Sequence, residues 1–186
     1  VGSSGGGISI LSSQLLANSD FSTGAFAAEY GNALAGVFDL NLRKGNNEKR
    51  EYTIQAGVLG LDVAAEGPFS KNYRGSYLIN YRYSTLSVLS KIGVNIGDAV
   101  TNFQDVSYNI YLPTNNFGNF SLFGFGGLSD QLQDAKKDST EWEFDYQRYN
   151  SNYFSNTGAA GFKHAYTINS NTYLQTNVVF SGNNHG

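Results

Sequence analysis

The sequence predicts an all-β fold: a small compact segment, then an antiparallel meander of about seven strands, apolar on one face and polar on the other. Three observations carry this reading. From residue 50 onward, hydrophobic residues recur with a period of two, the pattern of half-buried strands. Charged and aromatic residues each make up 15% of the 186 residues, whereas soluble domains carry about a quarter charged residues. The connections between strands fall into short and long classes, and the two classes segregate by end of the meander.

The composition narrows the function classes. Gly is 22, Tyr 13 and Phe 13, Pro is 2, and Cys and Met are absent. Such a surplus of Tyr, Phe, Asn, Ser and Gly suggests strands with one face in contact with something other than water. The net charge of −3 comes without a basic stripe, which argues against nucleic acid as a partner. Lack of cysteine excludes a disulfide framework and a thiolate metal site. No apolar run approaches the ~18 residues of a membrane helix, so any bilayer contact would be made by strands. The chain opens on Val1 without a start methionine or signal peptide and is expected to be a piece of a longer one.

In chain order, VGSSGGG at residues 1–7 reads as a flexible turn. A phosphate-cradling loop needs Gly-Lys-Ser/Thr leading into a helix, and Ile8-Ser9-Ile10-Leu11, a possible short strand, follows instead. Ser12 to Leu16 fits one helical turn with a serine cap. Asp20 to Phe26 reads as a second short strand. The segment closes on residues 36–44, where Gly36-Val37-Phe38-Asp39-Leu40-Asn41-Leu42 alternates until Arg43-Lys44-Gly45-Asn46-Asn47 ends it.

In residues 50–57, Tyr52, Ile54 and Ala56 share a face opposite Glu51, Thr53 and Gln55. The apolar parity then flips to Leu59, Leu61 and Val63, and Gly57 and Gly60 bracket a tight hairpin. Gly67-Pro68-Phe69-Ser70-Lys71-Asn72 is a turn. The next strand sets Tyr73, Tyr77, Ile79, Tyr81 and Tyr83 against Arg74, Ser76, Asn80 and Arg82, broken only by Leu78. Residues 85–104 form a longer connection with a helical turn at Leu86 to Ile92. A strand over 105–112, a turn from Pro113 to Gly118 and a strand from Phe120 to Leu128 follow, the last interrupted by Gly124, Gly126 and Gly127. Residues 131–153 form a charged, aromatic loop. Two final strands, about 156–168 and 172–181, flank Asn169-Ser170-Asn171. After the first hairpin, short and long connections alternate as in outer-membrane barrels. A soluble sandwich has no reason to sort loop lengths this way.

GGGISIL near the start and SDFSTGAFAAEYGNALAGVFDLNLRKGN carry a family resemblance. They resemble the C-terminal part of the plug of a TonB-dependent outer-membrane receptor of the Bacteroidetes type. The matching motif is Glu29-Tyr30-Gly31, the small stretch Ala33 to Ala35, Gly36-Val37, the alternating Phe38 to Leu42, and Arg43-Lys44. The likeness is close over residues 19–47, extends more loosely to about 130 and is architectural beyond. It implies a partial transmembrane antiparallel β-barrel, about seven strands of a larger barrel, preceded by the C-terminal part of a small α+β plug. The implied boundaries are 1–47 for the plug part and 48–186 for the first barrel strands. Such receptors have about 22 strands around a plugged lumen, and neither a TonB box nor the first half of a plug is present, so the chain would be a fragment. The resemblance further implies active uptake of a scarce ligand across the outer membrane of a Gram-negative bacterium. The implied partners are the TonB–ExbB–ExbD energy-coupling complex, outer-membrane lipid, an extracellular ligand and, in some relatives, a surface lipoprotein. It implies no catalysis and no cofactor.

The residues support no catalytic constellation. His164 falls on a strand between Phe162 and Tyr166, His185 stands among Gly and Asn, and neither a nucleophile elbow nor HExxH occurs. Asp134, Asp138, Glu141, Glu143 and Asp145 do not have the spacing of a calcium loop and read as a solvated loop. Trp142, Phe144, Tyr146 and Tyr149 are candidate ligand contacts, because aromatics bury large area at low entropy cost; packing within the loop is the competing reading. Arg74 and Arg82 share the polar face of their strand and would face a lumen, either hydrated or paired with Glu29 or Asp39. Two other proteins fit the alternation: a surface adhesin or carbohydrate-binding sandwich, and a small porin-like barrel.

Overall fold

The computed structural model describes residues 10, 12–24, 26–31, 34–58, 60–86, 89, 92–93, 99–136 and 138–186. For Glu29, Ala99, Val100, Glu141 and Tyr146 the description is of the backbone alone. The fold is all-β, and its large sheet is antiparallel. The strand expected at Ile8 to Leu11 lies outside the described residues except for Ile10.

The N-terminal segment begins with the single turn expected at Ser12. The Ser12 carbonyl accepts from the Leu15 N–H at 3.1 Å, and its Oγ accepts from the Gln14 N–H at 3.2 Å. A short strand β1 (Asp20–Ser22) pairs with β2 (Val37–Asp39), placing Phe21 opposite Phe38 with stacked rings 4.3 Å apart. Both are shorter than the alternation suggests. Beyond β2 the chain is tied to the Ser12 turn instead, through an isolated Leu16–Leu42 bridge and bonds from Ala17 N–H to the Asn41 carbonyl and from Arg43 N–H to the Leu15 carbonyl.

Seven strands form the large sheet in sequence order: β3 (Glu51–Gly57), β4 (Gly60–Pro68), β5 (Ser76–Ser84), β6 (Ala99–Pro113), β7 (Asn119–Gln133), β8 (Ser151–Asn169) and β9 (Thr172–His185). The hairpin bracketed by Gly57 and Gly60 is present, with the two glycines opposite each other. Three expectations need correction. Gly67 and Pro68 belong to β4, because proline as the last residue of a strand costs no ladder bond. Tyr73 and Arg74 lie in the connection before β5, which begins at Ser76 opposite Pro68. Gly124, Gly126 and Gly127 do not interrupt β7. Tyr108 lies across Gly124, where an added Cβ would come within 2.8 Å of its Oη, so an aromatic ring from the next strand fills the gap.

Strands β6 to β9 also run further than their hydrophobic alternation. Many of the added residues, such as Asn102, Asp130, Gln131, Asn152 and Asn184, are polar, and they are carried by the ladder and by cross-strand side-chain bonds such as that from Asn102 Nδ2 to Asp130 at 2.9 Å. The connections 69–75, 114–118 and 170–171 lie at one end of the sheet, and the longer 85–98 and 134–150 lie at the other with the two-residue 58–59 turn. Gly118 closes the 114–118 turn at φ +78°, a left-handed conformation suited to glycine, while Thr114 Oγ1 donates to its carbonyl at 2.7 Å. Seven antiparallel strands leave β3 and β9 pointing the same way, so they cannot pair with each other antiparallel.

The N-terminal segment covers the middle of one face of this sheet, over β4 to β6. Leu15 and Leu78 are fully buried between the two layers. Gly45 runs so close over β5 that a Cβ there would strike the Tyr77 carbonyl. We therefore expect Gly45→Ala to lift residues 42–46 off the sheet while leaving the hairpins intact. Hydrogen exchange should show faster exchange at Arg43 and Asn46 with protection in β4 and β5 unchanged.

Candidate functional site

Strand register makes the two faces of the sheet chemically opposite. One cross-strand row runs Ile54, Val63, Tyr81, Val106, and another Ala65, Ile79, Tyr108, Gly124, Ala160, Phe180. These rows are open: Tyr52 is 71% exposed, Ile54 76% and Phe180 76%. Along β7 the apolar positions of this face extend from Phe120 to Leu128, eight steps or about 27 Å of strand. At the long-loop end they give way to Gln104, Asn156 and Asn184, which stand in one row with Leu128.

The opposite face carries Asp62, Glu66, Ser76, Asn80, Arg82, Asp105, Ser107 and Asn109, and here the polar side chains are the buried ones apart from a half-buried Asp62 and Arg82. They are buried because the N-terminal segment lies on them. Glu66 receives the Arg43 guanidinium through two hydrogen bonds of 2.7 Å and the Asn46 N–H through a third of 2.7 Å. The Glu66 hydrogen bonds hold the Arg43 guanidinium above its ordinary pKa against the opposing effect of burial. Asn109 Nδ2 donates to the Arg43 carbonyl at 2.9 Å, and Lys44 Nζ sits 3.7 Å over the Tyr111 ring. Ser12 Oγ donates to Asp62, which also accepts from Asn80.

Arg82 lies on this covered face. Its guanidinium binds Asp105 of the neighbouring strand bidentately at 2.8 and 2.9 Å. Cross-strand register supplies a carboxylate at hydrogen-bonding range, closer than Asp39, which is exposed on β2. Arg74 is exposed in the connection and shares no face with Arg82. Among the described residues, segment and sheet are joined by an ion pair whose cation, Arg43, belongs to the segment and whose carboxylate, Glu66, belongs to the sheet. Of the motif residues, Glu29 and Tyr30 lie in a 3-10 turn (Ala28–Tyr30) that Gly31 ends. Gly36 enters β2 with its Cα against the Phe21 ring, 3.1 Å from an added Cβ. The side chain of Glu29 lies outside the described residues.

The 134–150 loop is ordered by its own polar groups. Gln147 is buried, its Oε1 accepts from the Glu143 and Phe144 N–H groups at 2.7 and 3.1 Å, and its carbonyl accepts from Lys136 N–H at 2.8 Å. Trp142 Nε1 donates to the Lys136 carbonyl at 2.9 Å, and Arg148 covers the ring at 4.8 Å. Trp142 thus serves the loop, whereas Phe144 and Tyr149 remain open at 57% and 62%. The Tyr146 side chain lies outside the described residues. Asp138 caps a 3-10 turn, accepting from Thr140 N–H at 2.9 Å and Oγ1 at 2.7 Å, which holds its carboxyl below the usual range.

Among the described residues no group of three His, Asp or Glu side chains could hold a metal ion. His164 stacks on Phe120 at 4.5 Å on the open face, with Nε2 2.7 Å from the Phe117 carbonyl. Glu66, Asp105 and Gln147 are the site residues that sequence reading missed. Glu66 could have been found from its place in the Asp62-Ala64-Glu66 alternation. Asp105 needs the register of two strands, and Gln147 leaves no local signal. Comparison with protein-family models, curated proteins and solved structures finds no match.

Two outcomes follow. In a double-mutant cycle, Arg43→Ala and Glu66→Ala should show a coupling of about 1–3 kcal/mol, since a largely buried, bidentate carboxylate is left without its cation. A value near zero would mean that the pair is solvated. The lowered Asp138 pKa stabilises the 3-10 turn at neutral pH, and that contribution should vanish as pH falls through and below the ordinary carboxylate range. The Thr140 amide, followed by NMR, should move with that titration, and Asp138→Asn should flatten the response.

Proposed function

We propose that this chain is a fragment of a TonB-dependent outer-membrane receptor of the Bacteroidetes type. On this reading residues 1–47 are the C-terminal part of the plug and residues 48–186 the first strands of a larger barrel. The parent protein would take up a scarce ligand across the outer membrane, and the chain itself is not an enzyme. The observation that carries the proposal is the inversion of the sheet: its apolar face is open, and over β4 to β6 it is the polar face that is covered. In water that arrangement leaves Tyr52, Ile54, Val106 and Phe180 hydrated, at a cost that scales with apolar area. Against hydrocarbon it costs nothing, and the apolar stretch of about 27 Å along β7, shortened by strand tilt, is comparable with the ~25 Å apolar belt of membrane barrels. Among the described residues no helix is long and apolar enough to cross a membrane, which leaves crossing to strands.

The remaining features fit the same scheme. Long connections gather at one end of the sheet, as extracellular loops do, with the turns opposite them mostly short. The chain passes from the segment into β3 at the short-turn end, next to Glu66 and Ser76. The segment is held mainly by hydrogen bonds and ion pairs, which a pull from the TonB–ExbB–ExbD complex could break a few at a time. Phe144 and Tyr149 on the ordered 134–150 loop would meet the extracellular ligand, or a surface lipoprotein that holds it. A carbohydrate-binding sandwich would require the tyrosine face to pack against a second sheet, and among the described residues no such sheet covers it.

The decisive comparison uses the chain folded in phospholipid vesicles. Val106→Arg on the open face should cost about 2–4 kcal/mol in urea unfolding, as charges facing lipid do, while Asn177→Arg on the other face should cost far less. A chain that stays folded and monomeric in detergent-free buffer, with Val106 and Tyr81 shielded from solvent, would end the proposal.

A further inference from the structure

The apolar, open face of the sheet carries a guanidinium at its short-turn end. Arg50 directly precedes β3, and its stem lies across Gly67 of β4, where an added Cβ would come within 2.7 Å of Arg50 Cγ. Gly67 is buried beneath it and begins the open-face row of Tyr77, Ile110, Leu122 and Phe162. Tyr111 and Lys163 share the row of Pro68 and Ser76, yet their strands run on to Pro113 and Asn169. The end of the sheet is thus oblique to its rows, as tilted barrel strands require, and Arg50 stands at that end. Arg50 is exposed and makes no ion pair among the described residues; neither do Lys71 and Arg74, exposed in the 69–75 connection, which contains no carboxylate. Glu51 is taken by Lys49 and Asn46, each at 2.8 Å, which leaves Glu48 as the other acid of residues 48–51. Phe69 is 45% exposed beside these cations, its ring 5.6 Å from that of Tyr77. Among the described residues of β3 to β9, the open face holds one other formal charge, Asp130, at the long-loop end.

An arginine whose stem lies on an apolar surface places its charged head at the nearest polar boundary. A guanidinium is weakly hydrated and matches phosphate oxygens bidentately. Half-exposed aromatic rings beside it suit the level of the glycerol backbone, where one side is apolar and the other wet. We propose that this corner binds the headgroup phosphate of an anionic phospholipid in the leaflet at the short-turn end. Arg50 and Arg74 take the phosphate oxygens, Lys71 adds attraction, and Phe69 and Tyr77 lie against the glycerol and the first acyl carbons. The site rests on the open face lying in lipid, and it adds the charge of that lipid and the place where it is held. The other end of the same face presents Gln104, Asn156, Asn184 and Asp130 and no cation, so the preference belongs to one leaflet.

The test compares urea unfolding of the chain in phosphatidylcholine vesicles and in vesicles with added phosphatidylglycerol. Phosphatidylglycerol should lower the unfolding equilibrium constant, by about fivefold for each cation at the surface, and added salt should shrink that gain. Arg50→Gln and Arg74→Gln should each remove about fivefold of the gain and change little in phosphatidylcholine alone, while Arg50→Lys should keep most of it. Arg74 lies outside the strands, so its variant reads the same gain even if Arg50→Gln fails to fold. Lys163→Gln, on the other face, should leave the gain intact, and inorganic phosphate added to phosphatidylcholine vesicles should not reproduce it. The proposal is overturned by no gain from phosphatidylglycerol, by losses equal in both lipids, by a gain that survives both neutralisations, or by one that inorganic phosphate reproduces. Val106→Arg is measured alongside. Its full cost without any effect of phosphatidylglycerol leaves the open face in lipid and removes this site alone; loss of that cost removes both.

Discussion

Glu66 is the point on which the two layers of this protein are joined. It sits one residue before the Gly67-Pro68 end of its strand, facing the N-terminal segment, and it takes three hydrogen bonds from Arg43 and Asn46. A carboxylate removed from water in this way must be matched by charge and hydrogen bonds together, or it destabilises the structure. Arg43 and the Asn46 N–H provide that match only if the chain between them turns tightly over β5. Gly45, which has no Cβ to strike the Tyr77 carbonyl, permits the turn. The position of the whole segment on the sheet follows from this constraint.

That position explains a face that otherwise contradicts ordinary core chemistry. Ser76, Asn80, Ser107 and Asn109 are buried around Leu78, and several of their polar atoms have no protein partner. A layer of this kind is poor at holding two bodies together through the hydrophobic effect, since it buries little apolar surface. It is held by a few directional contacts instead: the Glu66 cluster, Ser12 with Asp62, and Lys44 over Tyr111. Each such contact depends on its own geometry, since a hydrogen bond weakens steeply once distance or angle is lost.

The sheet itself is kept in register by a different balance. Its long strands have largely polar ends, where no hydrophobic pattern selects a register. Charged and aromatic pairs across strands take over that role. Arg82 with Asp105 fixes β5 against β6, Tyr108 over Gly124 fixes β6 against β7, and Phe123 over Gly161 fixes β7 against β8. Among the described residues both outer strands keep an unpaired edge, and on β9 every residue is exposed. Long unpaired edges invite further strand addition.

Alternation alone determined the class of fold, the phase change at Gly57 and Gly60, the order of strands and the segregation of connections, because a period of two is a local property of neighbouring side chains. It determined too that Tyr81, Tyr83 and Val106 share a face and that Arg82 lies on the other. It could not give the length of β6 to β9, whose ends are polar and carried by cross-strand bonds, nor show that Arg74 falls outside its strand. Only the tertiary structure decided which face would be covered, that Arg82 turns to Asp105 while Arg43 supplies the cation for Glu66, and that Gln147 orders its loop. Each of these depends on residues far apart in the chain meeting at hydrogen-bonding distance, and no local pattern encodes such a meeting.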